Sequence, residues 1–205
     1  ETLVDWLSER DAGVSRGEAD HEVVLFPDTF TNYSNPEVGK AAVRVLEAAG
    51  VHVELAEDVT ASGRAAFSMG FLDVARERAE ANVEALTAQV AQGRDVVVVE
   101  PSDAVMLQSD YLDLLSGDTV ERVAGATYGV CELLDRRGLD RAAGFEGDER
   151  LVYHGHCHQK ATARDHHAVG VLRRAGYTVE PLDSGCCGMA GSFGYEAEHY
   201  SMSQA

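Results

Sequence analysis

Apolar, β-branched residues gather in short runs along this chain, separated by longer stretches in which apolar positions recur at helical spacing. Residues 22–26 (EVVLF), 51–55 (VHVEL) and 95–100 (DVVVVE) are runs of the first kind and read as strands. The four consecutive valines of the third run leave no polar face, which predicts a strand covered on both sides and hence a parallel sheet. Between the first two runs, Asn35-Pro36 supplies an N-cap and a first-turn proline. Val38, Ala42, Val45, Leu46 and Ala49 then follow at helical spacing until Gly50 stops the helix. A long helix carries the stripe Leu72, Ala75, Ala79, Val83, Leu86 and Val90, and Gly93 ends it. Two more helices are expected, one over about 104–115 and one from Thr119 to Arg137. In the second, Val120, Val123, Thr127, Cys131 and Leu134 share a face, with Gly125 and Gly129 inside the span. Residues 151–155 (LVYHG) and 177–181 (YTVEP) are the next strands, with a helix between them that ends at Gly176. A Gly-rich loop then leads to the start of a helix near Glu196. Strands alternating with helices predict an α/β fold with a mainly parallel, Rossmann-like sheet.

The two halves of the chain match each other. VVLFPDTFTN aligns with LVYHGHCHQK and sets Thr29 against Cys157. AAGVHVEL aligns with RAGYTVEP and sets Gly50 against Gly176. Gly63 falls against Gly188, and SMGF (68–71) against SFGY (192–195). The offsets of 128, 126, 125 and 124 residues drift only at loops, as small deletions would cause. The chain therefore reads as a peripheral lead-in (1–21, with helical content around Leu3–Leu7), a first module (22–137), a connector (138–150) and a second, related module (151–205). A generic likeness between strand–helix–strand units is the alternative, but it leaves the matching loops unexplained.

Composition narrows the function. The 205 residues carry 35 acidic against 17 basic side chains, a formal charge of −18. Such a chain lacks the basic surface that displaces counterions from nucleic acid or draws a protein to anionic lipid. No apolar run approaches the roughly 20 residues that span a bilayer. The opening at Glu1 shows no signal-peptide pattern and reads as a piece of something longer. Four cysteines, two of them adjacent, are too few for a disulfide scaffold and point to a reducing, cytoplasmic setting. Neither a G-x-G-x-x-G turn nor a G-x-S-x-G elbow is present, so no flavin or nucleotide site and no serine nucleophile is expected in this chain.

The chemistry gathers in the second module. Cys157 follows one strand, and Cys186-Cys187-Gly188 follows the next. Open α/β sheets build their sites at those strand ends. Three thiols from two loops suit a soft metal or an iron–sulfur cluster. Glycines 185, 188, 191 and 194 permit close backbone approach, and His154, His156 and His158 add nitrogen donors. The plainer alternatives are ordinary imidazoles in a polar loop and a buried pair of small residues. Zinc is the rival metal, although its usual C-x-x-C pairs are absent. Cys131 is expected to pack in the core, and His166-His167 to lie on a helix surface. In the first module the equivalent loops hold Asp28/Thr29 and Ala61-Ser62, without sulfur.

HGHCHQKA followed by LDSGCCGMAGSFGYEAEHY resembles the cysteine-rich (CCG) domain. That domain occurs in heterodisulfide reductase, in the iron–sulfur subunits of glycolate and glycerol-3-phosphate dehydrogenases, and at the C-terminus of FAD-linked oxidases of the D-lactate dehydrogenase type. FPDTFTNYSNPEVGKAAVRVLEAAGV and VVVVEPSD are also similar to the last group, so the resemblance covers about residues 20–205. It implies two modules of the form C…CCG…C. In the second, Cys157, Cys186 and Cys187 would be thiolate ligands of an iron–sulfur cluster, of the 4Fe-4S type. Gly185 and Gly188 would let the backbone close over it, and His156 and His158 would be nearby donors or substitute ligands. In the first, Ala61-Ser62-Gly63-Arg64 stands where CCGR is expected and Pro101-Ser102-Asp103 where PSC is expected, so the resemblance implies a cluster in the second module only. Adding the 40 residues between Gly63 and Asp103 to Gly188 puts a last ligand at about residue 228, beyond this sequence, which is therefore expected to be a fragment.

The function so implied is electron transfer within a larger oxidoreductase. There a flavin takes a hydride equivalent from a D-2-hydroxy acid such as lactate or glycolate, and the cysteine-rich region relays electrons onward. FAD would belong to the parent's flavin-binding domain and not to this chain. The partners would be that domain and an electron acceptor, in the cytoplasm or peripheral at the inner membrane face. No dehydrogenase activity is expected from this chain alone. The alternative is a structural or docking domain whose cysteine site is degenerate or occupied by zinc.

Overall fold

The computed structural model describes residues 1–141, 144–185, 187–188 and 193–204. Over them the chain builds two parallel sheets. The first has four strands in the order β2 (Val51–Leu55), β1 (His21–Phe26), β3 (Asp95–Val98) and β4 (Thr127–Gly129). The second pairs β5 (Arg150–Tyr153) with β6 (Thr178–Pro181). In the first sheet Val23 lies beside Val53 on one neighbour and Asp95 on the other, and Phe26 beside Val98. The two sheets repeat one arrangement, since β5 and β6 stand to each other as β1 and β2 do.

Period-two alternation explains how the first sheet is covered. Val24, Phe26, Val96 and Val98 point to one face. There they meet α4 (Leu72–Ala91), which packs with the short α3 (Arg64–Ser68) before it. They also meet α5 (Pro101–Val105), which runs through a π-helical turn, Met106–Asp110, into α6 (Tyr111–Leu114), and then α7 (Asp118–Gly125). Val23, Leu25, Val51, Val53 and Val97 point to the opposite face. That face is covered by α1 (Leu3–Glu9), α2 (Pro36–Ala48) and α8 (Val130–Arg137). In the second module α9 (Cys157–Ala161) and α10 (His166–Arg174) lie between β5 and β6, and α11 (Tyr200–Ser203) closes the chain. Val171 of α10 reaches the second face of the first sheet, so the modules share that core.

Two elements differ from the sequence reading. The single helix expected from Thr119 to Arg137 is α7, β4 and α8. Gly125 and Gly129 weaken a continuous helix there. The open edge of β3 supplies the alternative, pairing Val96, Val97 and Val98 with Thr127, Tyr128 and Gly129. The Val96 amide also donates to the Ala126 carbonyl at 2.8 Å. A three-residue strand is too short to leave a periodic trace. The helix expected at about 104 begins instead at Pro101, because Glu100 caps it: its Oε1 accepts from the Ser102 amide at 3.1 Å and the Ser102 hydroxyl at 2.8 Å.

The helical content expected near Leu3 is α1. Thr2 and Asp5 form a reciprocal capping box at its start. Leu3 is fully buried, against the backbone of Gly39, where a Cβ would stand 2.4 Å from Leu3 Cδ2. Truncating Leu3 to alanine should therefore cost about 3 kcal/mol of stability, as for other buried leucines. Urea denaturation measures this, and a loss within about 0.5 kcal/mol, the scale of a surface substitution, would show that α1 does not contribute to the core.

Candidate metal centre

Cys157 opens α9, with three residues (His154, Gly155 and His156) between it and the end of β5. His156 caps the helix: its Nδ1 accepts the His158 amide at 3.3 Å. The ring proton of neutral His156 then sits on Nε2, which faces Glu100 Oε1 at 3.7 Å. Both nitrogens of His156 are thus oriented toward protein groups. His158 differs, because its Nδ1 is buried with no hydrogen-bond partner. One ligand atom from each of His156, Cys157 and His158 lies within 4.8 Å of the other two. Burial pushes both imidazoles below the usual histidine value, and the Arg64 guanidinium adds to this. They are neutral at neutral pH, the form that binds a metal. The Cys157 thiol is exposed.

The loop after β6 is held against this segment from both sides of Cys157. His154 Nε2 donates to the Gly185 carbonyl at 3.2 Å. Lys160 Nζ donates to the Ser184 carbonyl at 2.8 Å. Two residues beyond Gly185 is Cys187, also exposed and unpaired, and Cys186 lies outside the described residues. Gly188 has φ +83°, and its counterpart Gly63 has φ +88°. Both turns need this left-handed backbone, which only glycine adopts without strain. A Cβ at Gly185 would meet no atom within 4 Å.

The equivalent positions of the first module show what such loops bring together. Ser62, which precedes Gly63 as Cys187 precedes Gly188, hydrogen-bonds through its hydroxyl to the Asp103 carboxyl. These are the places where the cysteine pattern expects sulfur. Asp28 accepts the Thr31 amide at 2.8 Å, the Thr31 hydroxyl, and the Glu100 amide at 3.3 Å. Tyr111 OH donates to the Ser62 carbonyl at 2.8 Å and accepts from Asn82 at 2.8 Å. Arg64 reaches the Ser102 carbonyl at 3.1 Å and pairs with Asp110. Burial raises the Asp28 carboxyl above its ordinary value. Burial pushes Asp103 up to about 6, with the Asp28 and Glu100 charges adding to the effect.

Two further cysteine and histidine readings resolve here. Cys131 lies partly buried against the second core, and burial pushes its thiol up, which suits packing. His166 is exposed as expected, but His167 is 6% exposed and bonded to Asp135. Tertiary packing of α10 on α8 covers it, and a local sequence window carries no trace of that.

His156, Cys157 and His158, with the unpartnered Nδ1 of His158, make a donor group that fits a metal ion, and Cys187 is not grouped with them. The family described as Cysteine-rich domain (CCG) matches residues 24–107 and again 151–204. One of the subunits of anaerobic glycerol-3-phosphate dehydrogenase of Escherichia coli K12 is 29% identical over 209 aligned positions, which cover 96% of this chain and 50% of that protein. D-2-hydroxyglutarate dehydrogenase of the same strain is 26% identical, covering 88% of this chain and 18% of that protein. The iron–sulfur subunit of its glycolate oxidase is 25% identical, covering 78% and 41%. The chain thus spans half the length of the first of these relatives and less of the other two.

Asp103 gives a pH signature. Its folded value is above its unfolded one, so the fold binds this proton more tightly than the unfolded chain. Stability therefore falls as pH rises from the unfolded value of about 3.9 through about 6, and the loss persists above that. Asp103→Asn removes the ionisation and keeps a partner for Ser62. The variant should gain on the order of 2 kcal/mol over wild type near pH ~8, and the gain should vanish near pH ~4. Urea midpoints across pH test this, and a difference independent of pH would refute it.

Proposed function

This chain belongs to the cysteine-rich (CCG) domain family, and from that premise we propose that it is the electron-transferring part of a larger oxidoreductase. In this reading a flavin-binding domain of the same parent protein holds FAD and takes a hydride equivalent from a D-2-hydroxy acid such as lactate or glycolate. Electrons pass through this chain to an acceptor. The chain carries no dehydrogenase activity by itself.

The observation that carries the reading is the pair of tethers from His154 and Lys160 to the loop of Gly185 and Cys187. They bring the two thiol-bearing loops side by side without using either described sulfur. Cys157, Cys186 and Cys187 would hold an iron–sulfur cluster of the 4Fe-4S type as thiolates. Such a cluster supplies a one-electron carrier when bound. His156 orients the Cys157 segment, with Nδ1 on the His158 amide and Nε2 toward Glu100. His158 Nδ1 is free to donate to a bound sulfur or to replace a missing ligand. Gly188 supplies the left-handed turn beside Cys187, and Gly185 offers its carbonyl to His154. The first module serves as a support, pressing α5 and Glu100 against α9.

The charge of −18 favours an acceptor with a basic face, because long-range attraction raises encounter rates. Among the described residues no helix is long and apolar enough to cross a membrane. We place the protein in the cytoplasm, with a peripheral position at the inner membrane face compatible with that.

A second reading is a structural domain holding zinc. The Ser62–Asp103 pair favours it, since one module keeps its fold with oxygen where thiols would be, and a mixed cysteine and histidine set also suits zinc. Metal analysis of the anaerobically purified full-length protein separates the two. Iron with acid-labile sulfide is expected, and zinc without sulfide would favour the second reading. Cys157→Ser should reduce iron at this centre by roughly tenfold or more, while Cys131→Ser should leave it unchanged. Equal iron in the two variants would overturn the ligand assignment.

A further inference from the structure

A second group of metal-binding side chains stands where the two modules meet, away from the thiol loops. α8 of the first module packs on α10 of the second. Asp135 lies in the last turn of α8, and His166 and His167 open α10. One ligand atom of each of these three residues lies within 4.8 Å of the other two. The imidazole rings of His166 and His167 are 4.0 Å apart between centroids.

The surroundings of His167 point to a ligand. Its side chain is more than nine-tenths buried, and its Nδ1 donates to Asp135 Oδ2 at 2.5 Å. Its Nε2 is buried and has no hydrogen-bond partner. The nearest acid to Nε2, Glu132 Oε1 at 3.9 Å, is already engaged by Arg136 at 2.9 Å and by Arg164. A buried imidazole nitrogen left unsatisfied costs free energy in an otherwise hydrogen-bonded interface.

The carboxylate is fixed in advance. Arg174 holds Asp135 Oδ1 and also pairs with Asp140, which leaves Oδ2 facing the histidines. Charge does not oppose a cation here. Glu132, Asp135 and Asp140 balance Arg136, Arg164 and Arg174, so an arriving ion meets a neutral setting.

We propose that Asp135, His166 and His167 form a second metal site, for a borderline divalent cation of the zinc type, that pins one module to the other. Two imidazoles and one carboxylate are an ordinary nitrogen–oxygen set for such an ion. Exposed His166 leaves the remaining position open to water. The ion takes the place of the proton between His167 Nδ1 and Asp135, and the ring proton moves to Nε2, which faces Glu132 Oε1 at 3.9 Å, so the imidazole stays neutral and no proton is lost. No sulfur takes part, so the site is independent of the thiol centre and of the function proposed for it.

Cobalt(II) is the probe, applied to metal-stripped protein. In a Cys157→Ser, Cys187→Ser double variant one equivalent should bind with visible ligand-field bands and no thiolate charge-transfer band, and wild type should bind the same equivalent in addition to any cobalt held by its thiols. His166→Ala, at an exposed position that leaves the fold intact, should weaken that equivalent by roughly tenfold or more. Zinc should raise the melting temperature of the double variant, and not that of the same double variant carrying His166→Ala. Cobalt stoichiometry and affinity unchanged in His166→Ala would overturn the site. So would bound cobalt whose spectrum is always that of a thiolate complex.

Discussion

A parallel strand pair with no polar face has to be covered twice. β1 and β3 are such a pair, buried from Val23 to Phe26 and from Val96 to Val98. The first cover is made within one module, by α4, α5, α6 and α7. The second is not, because Val171 of α10 joins α1, α2 and α8 there. Apolar burial therefore fixes where the second module sits, and the ion pairs Asp135–Arg174 and Glu132–Arg164 set its register across α8 and α10. That placement brings the C-terminal ends of the two sheets together, so that Glu100 beyond β3 faces His156 beyond β5.

The two modules then show one architecture under two chemistries. Thiols gathered at a point are reactive and need a metal to satisfy them. Where the first module has oxygen instead, Ser62 and Asp103 satisfy each other directly, and Tyr111 and Asn82 extend the network into the core. Burial keeps the Asp103 proton in place into the mildly acidic range, and above about 6 the buried charge that forms is held by the Ser62 hydroxyl. The closure of this network shows that loops in these positions do converge, and it offers a template for the thiol loops of the second module.

Much of the fold was legible because its signals are local and repeated. Strands β1, β2 and β3 and helices α2 and α4 announce themselves by periodicity, by Pro36, and by stops at Gly50 and Gly93. β4 was not legible, since three residues carry no period and its stability comes from the distant edge of β3. The same holds for the burial of Leu3 under Gly39 and of His167 under α8, which are contacts between segments far apart in the chain. At the candidate centre the repeat singled out Cys157, Cys186, Cys187 and Gly188, of which the structure groups Cys157 with His156 and His158 and gives Gly188 the left-handed turn of Gly63. It could not separate His156 from His158. Only the cap hydrogen bond to His156 Nδ1 and the orphaned Nδ1 of His158 tell them apart.

One carboxylate oxygen ties the sulfur-free half to the sulfur-bearing half. Glu100 Oε1 receives the Ser102 amide and hydroxyl and also faces His156. Two hydrogen bonds hold it at the start of α5, and His156 Nε2 stands 3.7 Å from it on the other side. A side chain of the sulfur-free half thus stands directly against the segment that carries Cys157 in its twin.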